Sequence, residues 1–327
     1  MEKVYYSDSK ELGKIFLDQL KSELKSNFSG CKTLAVKIHF GEPGNKTALW
    51  PEDVEPIINA VKEAGFDYPL FDSSVAYPGP RHEPESHKAS AEKKGWGALG
   101  KIIVSNESIK VKKKYLTHEV CKHLADADGI LVITHVKGHP CSGFGGAIKN
   151  LGMGALSRET KGAIHDGAKP VFKGRCIQCK ACATCCPLDG IEVTDHPSFN
   201  MCFGCSNCAK VCPEHSIKVK LAYFDTLLAE GAAAAQEKFK KHYYVSLMKR
   251  ITQKCDCNRG NSDIIAKDAG FLASKDGVAI DKAALDIITK KEGLNPFLKY
   301  NKKTGLDQIE EAEKLGMGKA AYKLEYV

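Results

Sequence analysis

The chain has 327 residues, 43% hydrophobic and 27% charged, with a formal net charge of +8. This is an ordinary globular composition with material for a full core, of a length that suits about two domains. No run approaches the roughly 18 apolar residues of a membrane helix, and Met1–Tyr6 lacks the charged start and apolar stretch of a signal peptide, so a cytoplasmic protein that meets no membrane is expected. The short basic runs Lys112-Lys113-Lys114 and Lys302-Lys303 each have a single tyrosine nearby, Tyr115 and Tyr300. A nucleic-acid surface shows longer basic stripes with several aromatics, so these runs read as solvated faces and no nucleic-acid partner is expected.

In chain order, Thr33–His39 is a short β-branched run that reads as a strand. Pro51–Gly65 follows with Val54, Ile57, Ile58 and Val61 at helical spacing, closed by Gly65. Tyr68–Asp72 predicts a second strand, Glu85–Lys94 a helix, and Lys101–Val104 a third strand. A helix over Tyr115–Ala125 leads into Gly129–Thr134, the most apolar strand of the chain. From 172 to 219 the text turns to cysteine, proline and short spacings, with little periodicity of either kind. Ala222–Tyr243 then reads as one long helix, and α/β-like text resumes through Ile264–Ala266, Gly277–Ile280 and a helix over Asp281–Lys291. Asp263, Asp268 and Asp276 read as turn and cap residues.

The alternation predicts an α/β fold with a mostly parallel, doubly wound sheet. Residues 1–171 form its first part, 172–220 an insert, and 221–327 its second part or a separate C-terminal domain. In such sheets ligands sit beyond the carboxyl ends of the strands. Those ends carry His39–Asn45, Asp72-Ser73-Ser74 and His135–His139, all polar and loop-like.

Fourteen cysteines are too few for a small disulfide scaffold and too clustered for idle packing. Cys176-x2-Cys179-x2-Cys182-x3-Cys186-Pro187 recurs 26 residues on as Cys202-x2-Cys205-x2-Cys208-x3-Cys212-Pro213. Two-residue gaps let three thiolates of one loop reach three corners of a cubane, and the fourth cysteine, before proline, reaches the other cluster. One [4Fe–4S] cluster would take Cys176, Cys179, Cys182 and Cys212, and the other Cys202, Cys205, Cys208 and Cys186. Zinc sites more often use separated pairs. Cys185 has no place in the pattern and reads as a spare thiol; Cys31 and Cys121 read as core. Cys255 and Cys257 point to one face of an extended segment, so they suit one metal, one redox partner, or two buried thiols.

Residues 172–220 resemble the bacterial two-cluster ferredoxins in every ligand and both prolines. The resemblance implies a ferredoxin-like α+β module, low-potential one-electron transfer, an oxygen-shy host, and a redox protein such as a ferredoxin as electron donor or acceptor.

After the strongest strand, Gly143, Gly145 and Gly146 precede a helical Ala147-Ile148-Lys149. Their backbone N–H groups, with Lys149 and Asn150, could hold a phosphate-bearing cofactor such as a flavin or nucleotide. Neither the dinucleotide fingerprint nor the P-loop is matched, and the plain alternative is a tight turn packing a helix on the sheet. Arg81, in Tyr77–His82, could clamp a carboxylate or phosphate, against the commoner reading of a surface arginine; His87 follows it.

The whole chain resembles a family of uncharacterised proteins widespread in anaerobic bacteria and archaea, whose domain of unknown function often contains an inserted two-cluster ferredoxin. The matching pieces are Lys37–Gly41, His135-x-Lys137-Gly138-His139, Gly143–Asn150, Cys255-Asp256-Cys257 and Asp281-Lys282-Ala283. A narrower stretch, His139-x3-Gly143-Phe144-x-Gly146-x2-Lys149 with His165 beyond, is similar to the signature of lactate racemase. That resemblance implies a lysine tether for a nickel-pincer nucleotide at Lys149, a nickel ligand at His165 and an acid/base at His139. Here Gly145, Ala147 and Ile148 stand where the racemase pattern has serine, glycine and arginine, which speaks against that cofactor.

The expected activity is an iron–sulfur oxidoreductase. It would pass electrons through two clusters to a small substrate or bound cofactor, with His139, Lys149, His165, His135 and Lys137 protonating or orienting it. Two alternatives stay open. One is a non-enzymatic electron carrier or docking protein. The other is a metallocofactor maturation factor with Cys255, Cys257, His139 and His165 as transient ligands of an additional metal.

Overall fold

The strand with the longest apolar run is buried over six of its seven residues, as the middle of a sheet requires. The computed structural model describes residues 1–260 and 262–327. Its eight-stranded sheet is built from β1 (Glu2–Ser7), β2 (Leu34–Lys37), β3 (Leu70–Asp72), β4 (Ile102–Val104), β5 (Gly129–His135), β6 (His242–Met248), β7 (Gly270–Ser274) and β8 (Tyr322–Tyr326). The order across the sheet is β8-β1-β7-β6-β5-β2-β3-β4. β7 runs against both of its neighbours and every other pair is parallel. The fold is therefore mixed α/β with a mostly parallel central sheet.

Strand side chains alternate between faces, and the two cores follow that alternation. Ile130, Val132 and Ala35 pack with the helices Ala147–Gly154, Phe224–Gln236 and Gly277–Glu292. Leu131, Ile133, Leu34 and Val36 pack on the other face with Lys14–Asn27 and Pro51–Glu63. The Val54, Ile57, Ile58 and Val61 stripe is buried as its spacing predicts.

Residues 170–219 form a lobe with a small core of their own around Cys182, Cys208, Ala209 and Ile217. Strand Pro170–Phe172 pairs with Ile217–Val219, and Ile191–Val193 pairs with Pro197–Phe199. The 26-residue repeat extends to the backbone. Gln178, Lys180 and Asp189 have left-handed φ values of 55°, 59° and 49°; Gly204, Ser206 and His215, each 26 residues on, have 76°, 66° and 50°. Five of these six are not glycine, so the conformation carries a steric cost that both halves bear. After the lobe, β6, β7 and β8 from residues 221–327 continue the same sheet.

Several predicted elements differ. Tyr115–Ala125 is not one helix: Thr117–Cys121 is a strand paired with Ser108–Lys112, and the helix is Lys122–Ala125. Glu230 accepts the backbone N–H groups of Tyr115 and Leu116 and bonds to His118, which holds that segment extended. The helix predicted to Tyr243 ends at Gln236, because the aromatic and β-branched run from His242 joins the sheet as β6. Gly277–Ile280 is helical, capped by Asp276. The run Lys302-Lys303 is only half solvated, since Lys303 is buried against Asp225.

Asp276 accepts from Val278 N (2.7 Å) and Ala279 N (2.9 Å) at the helix start and from Lys319 N (2.8 Å) before β8. Asp276→Ala is expected to lower the unfolding free energy by about 2 kcal/mol in urea titrations. Asp276→Asn, which keeps one acceptor oxygen, should lose less.

Candidate functional site

β2 leads outward to β3 and β4, whereas β5 lies on the other side of β2 and leads to β6. The strand order thus reverses between β2 and β5, and a crevice opens beyond their carboxyl ends. A cleft of about 620 Å³ lies there, lined by His39 after β2, Asp72 and Ser73 at β3, and His139 after β5. Lys149, Lys161 and His165 line it from two helices, Cys255 and Cys257 from the loop after β6, and Leu188, Cys202 and Phe203 from the cysteine-rich lobe.

The Cys255-Asp256-Cys257 loop is fixed from behind. Asp256 Oδ2 lies 2.8 Å from His135 Nδ1, and His135 Nε2 donates to the Lys249 carbonyl at 2.7 Å. Burial lowers the His135 pKa, while Asp256 and the Lys249 carbonyl oppose that fall. Although burial opposes it, His135 and Lys137 hold the Asp256 carboxyl well below the usual range. Lys137 donates to the carbonyls of Thr47 (2.8 Å) and Arg250 (2.6 Å), and burial pulls its pKa to about 8. Neither His135 nor Lys137 lines the cleft. The expectation that they act on substrate is corrected: both strap the loop that presents the two thiols.

On the cleft side, His39 Nδ1 accepts from Gly41 N (3.0 Å), so its proton sits on Nε2, 3.2 Å from Cys257 Sγ. A hydrogen bond from Cys255, together with His39 and Lys149, holds Cys257 well below the ordinary thiol pKa. The same bond, with burial, pushes Cys255 up. The two thiols are thus pushed in opposite directions, Cys257 toward its thiolate and Cys255 toward its neutral form.

His139 Nδ1 accepts from the backbone N–H of Cys141 and Ser142, both at 3.2 Å, which leaves its proton on Nε2. Burial, Lys149 and His165 keep it well below its ordinary pKa; it is a neutral hydrogen-bond donor. His165 is the opposite tautomer, because its Nδ1 donates to the Phe203 carbonyl at 2.7 Å and its Nε2 is left as an acceptor. Both rings rest on Phe224, with centroids 6.1 and 5.1 Å away. Burial opposes the charge on Lys149, yet the neighbouring Cys255 and Cys257 raise its pKa. His139, Lys149 and His165 thus meet in one place, as the sequence predicts.

The glycine cradle is closed to a phosphate. Asp281 accepts from Ala147 N (2.6 Å) and Ile148 N (2.9 Å), occupying the helix N-terminus. A Cβ at Gly146 would lie 2.2 Å from Asp281 Oδ1, and one at Gly143 2.3 Å from the Lys303 carbonyl. Gly143 and Gly146 let the chain pass close to its neighbours, and the helix start presents no free N–H groups to a ligand. Burial raises the Asp281 carboxyl to about 7. Asn150 lines the cleft, but its amide donates to Ile133 O and Thr134 Oγ1 and accepts from Lys37.

Arg81 is no surface residue. It is 1% exposed, bonded to Asp72 (3.2 Å), His87 Nε2 (3.1 Å) and Glu42 (3.5 Å). Lys37 shares Asp72 at 3.1 Å. Lys161, whose pKa burial pulls to about 8, donates to Ser73 Oγ at 2.7 Å and to the Ser74 carbonyl.

In the lobe, Cys176, Cys179, Cys182 and Cys212 line one small cavity together with Ile177, Pro213 and Ile217. Backbone N–H groups of Gln178, Gly204 and Gly190 point at the sulfurs of Cys176, Cys202 and Cys186, each at 3.4 Å. Burial, reinforced by nearby Cys186, raises the Cys202 and Cys205 thiols. Cys185 donates to the Cys182 carbonyl, and burial raises it to about 12. Among the described residues no three His, Cys, Asp or Glu side chains are gathered to hold a single ion. Nothing in the local spacing of Phe203, Phe224 and Lys161 distinguishes them from core or surface positions, so the sequence alone does not point to them as site residues.

Residues 34–286 match the family described as Domain of unknown function (DUF362), and the chain belongs to that family. No curated protein matches it. A crystal structure of a Thermotoga maritima protein is similar over 89% of this chain and 61% of its own, at 10% identity and a TM-score of 0.48. The lactate racemase apoprotein of Thermoanaerobacterium thermosaccharolyticum is similar over 76% of this chain and 50% of its own, at 11% identity and a TM-score of 0.34. The chain thus spans less than two thirds of either.

An ordinary thiol loses more than about tenfold in alkylation rate between pH 9 and pH 7 as its thiolate disappears. Cys257, with its depressed pKa, should react with iodoacetamide at a nearly constant rate across that window, followed by peptide mass spectrometry. Cys255→Ala should restore most of the ordinary fall, and His39→Ala a smaller part of it.

Proposed function

We propose that this member of the DUF362 family is an iron–sulfur oxidoreductase that delivers electrons to a small molecule held in the cleft at the carboxyl edge of the sheet. The position of Cys202 carries the reading: it belongs to the repeated cysteine pattern and it lines the same cleft as His139, Lys149 and His165. Cys176, Cys179, Cys182 and Cys212 would hold one [4Fe–4S] cluster, and Cys202, Cys205, Cys208 and Cys186 the other. The residues suit such groups, since four of these thiols share one cavity and peptide N–H groups aim at three of the sulfurs, where they offset thiolate charge. The clusters, when bound, supply one-electron transfer at low potential.

The remaining tasks fall to this chain's own side chains. The His139 Nε2–H donates to a substrate oxygen, and the Lys149 ammonium offsets negative charge that develops as electrons arrive. His165, held by the Phe203 carbonyl, offers Nε2 as an acceptor within the same site. The lobe is locked to that site. Lys303 donates to the carbonyls of Cys141 (2.9 Å) and Cys205 (3.1 Å), and Ser206 Oγ donates to Ala168 O while accepting from Phe224 N. A carrier without chemistry of its own would leave the His139, Lys149 and His165 constellation without a task.

Protein purified without oxygen should contain about eight irons and as many acid-labile sulfides per chain. Its reduced form should show paramagnetic resonance from two interacting centres. Cys176→Ala should lose about half the iron, whereas Lys149→Ala should keep all of it yet lose the substrate-dependent reoxidation of dithionite-reduced protein. Zinc in place of iron, or reoxidation unchanged in Lys149→Ala, would sink the proposal.

A further inference from the structure

We infer that the cleft takes an organic anion, a molecule bearing a carboxylate or phosphate on an apolar body. This names the ligand class of the cleft used in the proposed function and rests on that reading for its catalytic meaning. The binding argument itself needs only the cleft.

The charge balance points that way. Arg81, Lys149, Lys161, Lys169, Lys254 and Arg259 line the cleft, whereas Asp72 is its one lining carboxylate among the described residues. Asp72 is already shared by Lys37 and Arg81. Glu42 serves Arg81 and Arg259, and Asp166 serves Lys169 and Lys220. Among the described residues Lys149, Lys161 and Lys254 form no ion pair. The Lys161 ammonium, in a residue 7% exposed, hydrogen-bonds only to neutral oxygens of Ser73 and Ser74, and the carboxylate that acts on it, Asp72, is the one already shared by Lys37 and Arg81. The Lys149 ammonium makes no hydrogen bond among the described residues. A buried cation without a counter-ion is costly, and an incoming anion removes that cost.

The rest of the wall selects against a bare inorganic ion. Val75, Ala76, Pro140, Met153, Leu188 and Phe203 give the cleft an apolar surface. A volume of about 620 Å³ lies within the range of small-molecule sites, which pair apolar walls with a few placed polar groups. The anionic group belongs by Lys149 and the His139 Nε2–H, where a charge-assisted bond is strongest, and the body belongs against Met153 and Phe203.

The test is isothermal titration of the anaerobically purified, full-length protein with 2-naphthoate, 2-naphthyl phosphate and neutral 2-naphthylmethanol. At least one acid should bind about tenfold or more tightly than the alcohol, the expectation for one charge-assisted bond. The tighter acid identifies the headgroup, carboxylate or phosphate. Lys149→Met should cost about tenfold, and the exposed Lys254→Gln, which leaves the fold untouched, about threefold. The inference is overturned if the alcohol binds as tightly as both acids, if neither acid binds at about 1 mM, or if both variants keep wild-type affinity. Iron is measured on the same samples. Iron-replete protein that ignores the acids defeats the ligand class alone, while acid binding by protein that never takes up iron defeats the electron-transfer reading alone.

Discussion

The parallel pairing of β2 with β5 is the constraint on which the site depends. Leu34–Lys37 lies in register with Gly129–Val132, and the chain leaves the two strands toward opposite sides of the sheet. Loops that depart in opposite directions cannot cover the gap between them, so the gap stays open and collects the polar residues that follow each strand. His39, His139 and, through β6, the Cys255–Cys257 loop all border that one opening. The apolar demands of the sheet and the polar chemistry of its edge are thus met by consecutive residues of the same strands.

Around this opening, burial and charge oppose each other. Asp72, Asp256 and Glu42 are nearly inaccessible, and each is held by basic side chains: Lys37 and Arg81 for Asp72, His135 and Lys137 for Asp256, and Arg81 with the exposed Arg259 for Glu42. Removing one partner from such a pair strands the other charge in a poorly solvated place, which is more costly than the pair is stabilising. These networks give the cleft a rigid frame. Lys149 and Lys161 lie inside that frame without carboxylates of their own, and this surplus sets the sign of the cleft.

The cysteine-rich lobe is joined to the frame through backbone groups as much as side chains. The Phe203 carbonyl fixes the His165 tautomer, Lys303 gathers the carbonyls of Cys141 and Cys205 beside Asp225, and Asn207 bonds to the Cys185 and Lys302 carbonyls. Phe224, the first residue of the helix that leaves the lobe, supports both His139 and His165. A displacement of the lobe would therefore disturb the histidines directly.

Much of this was legible in the sequence because the signals are local. The continuous apolar runs of β2 and β5, the Val54–Val61 stripe and the 26-residue cysteine repeat all arise from neighbours in the chain, so spacing alone reports them. The sequence places polar loops after β2, β3 and β5 for the same reason, and these loops border the cleft. What only tertiary structure decided depends on residues far apart in sequence. Asp281, more than a hundred residues from Ala147, fills the helix start that the glycine-rich spacing alone suggests for a phosphate. His135 and Lys137 turn to Asp256 while His139, two residues on, faces the cleft. Lys303 leaves a basic run for the interior. A side chain's hydrogen-bond partner is set by which distant backbone reaches it first, and burial then fixes its charge. Neither is written in the spacing of the residues themselves.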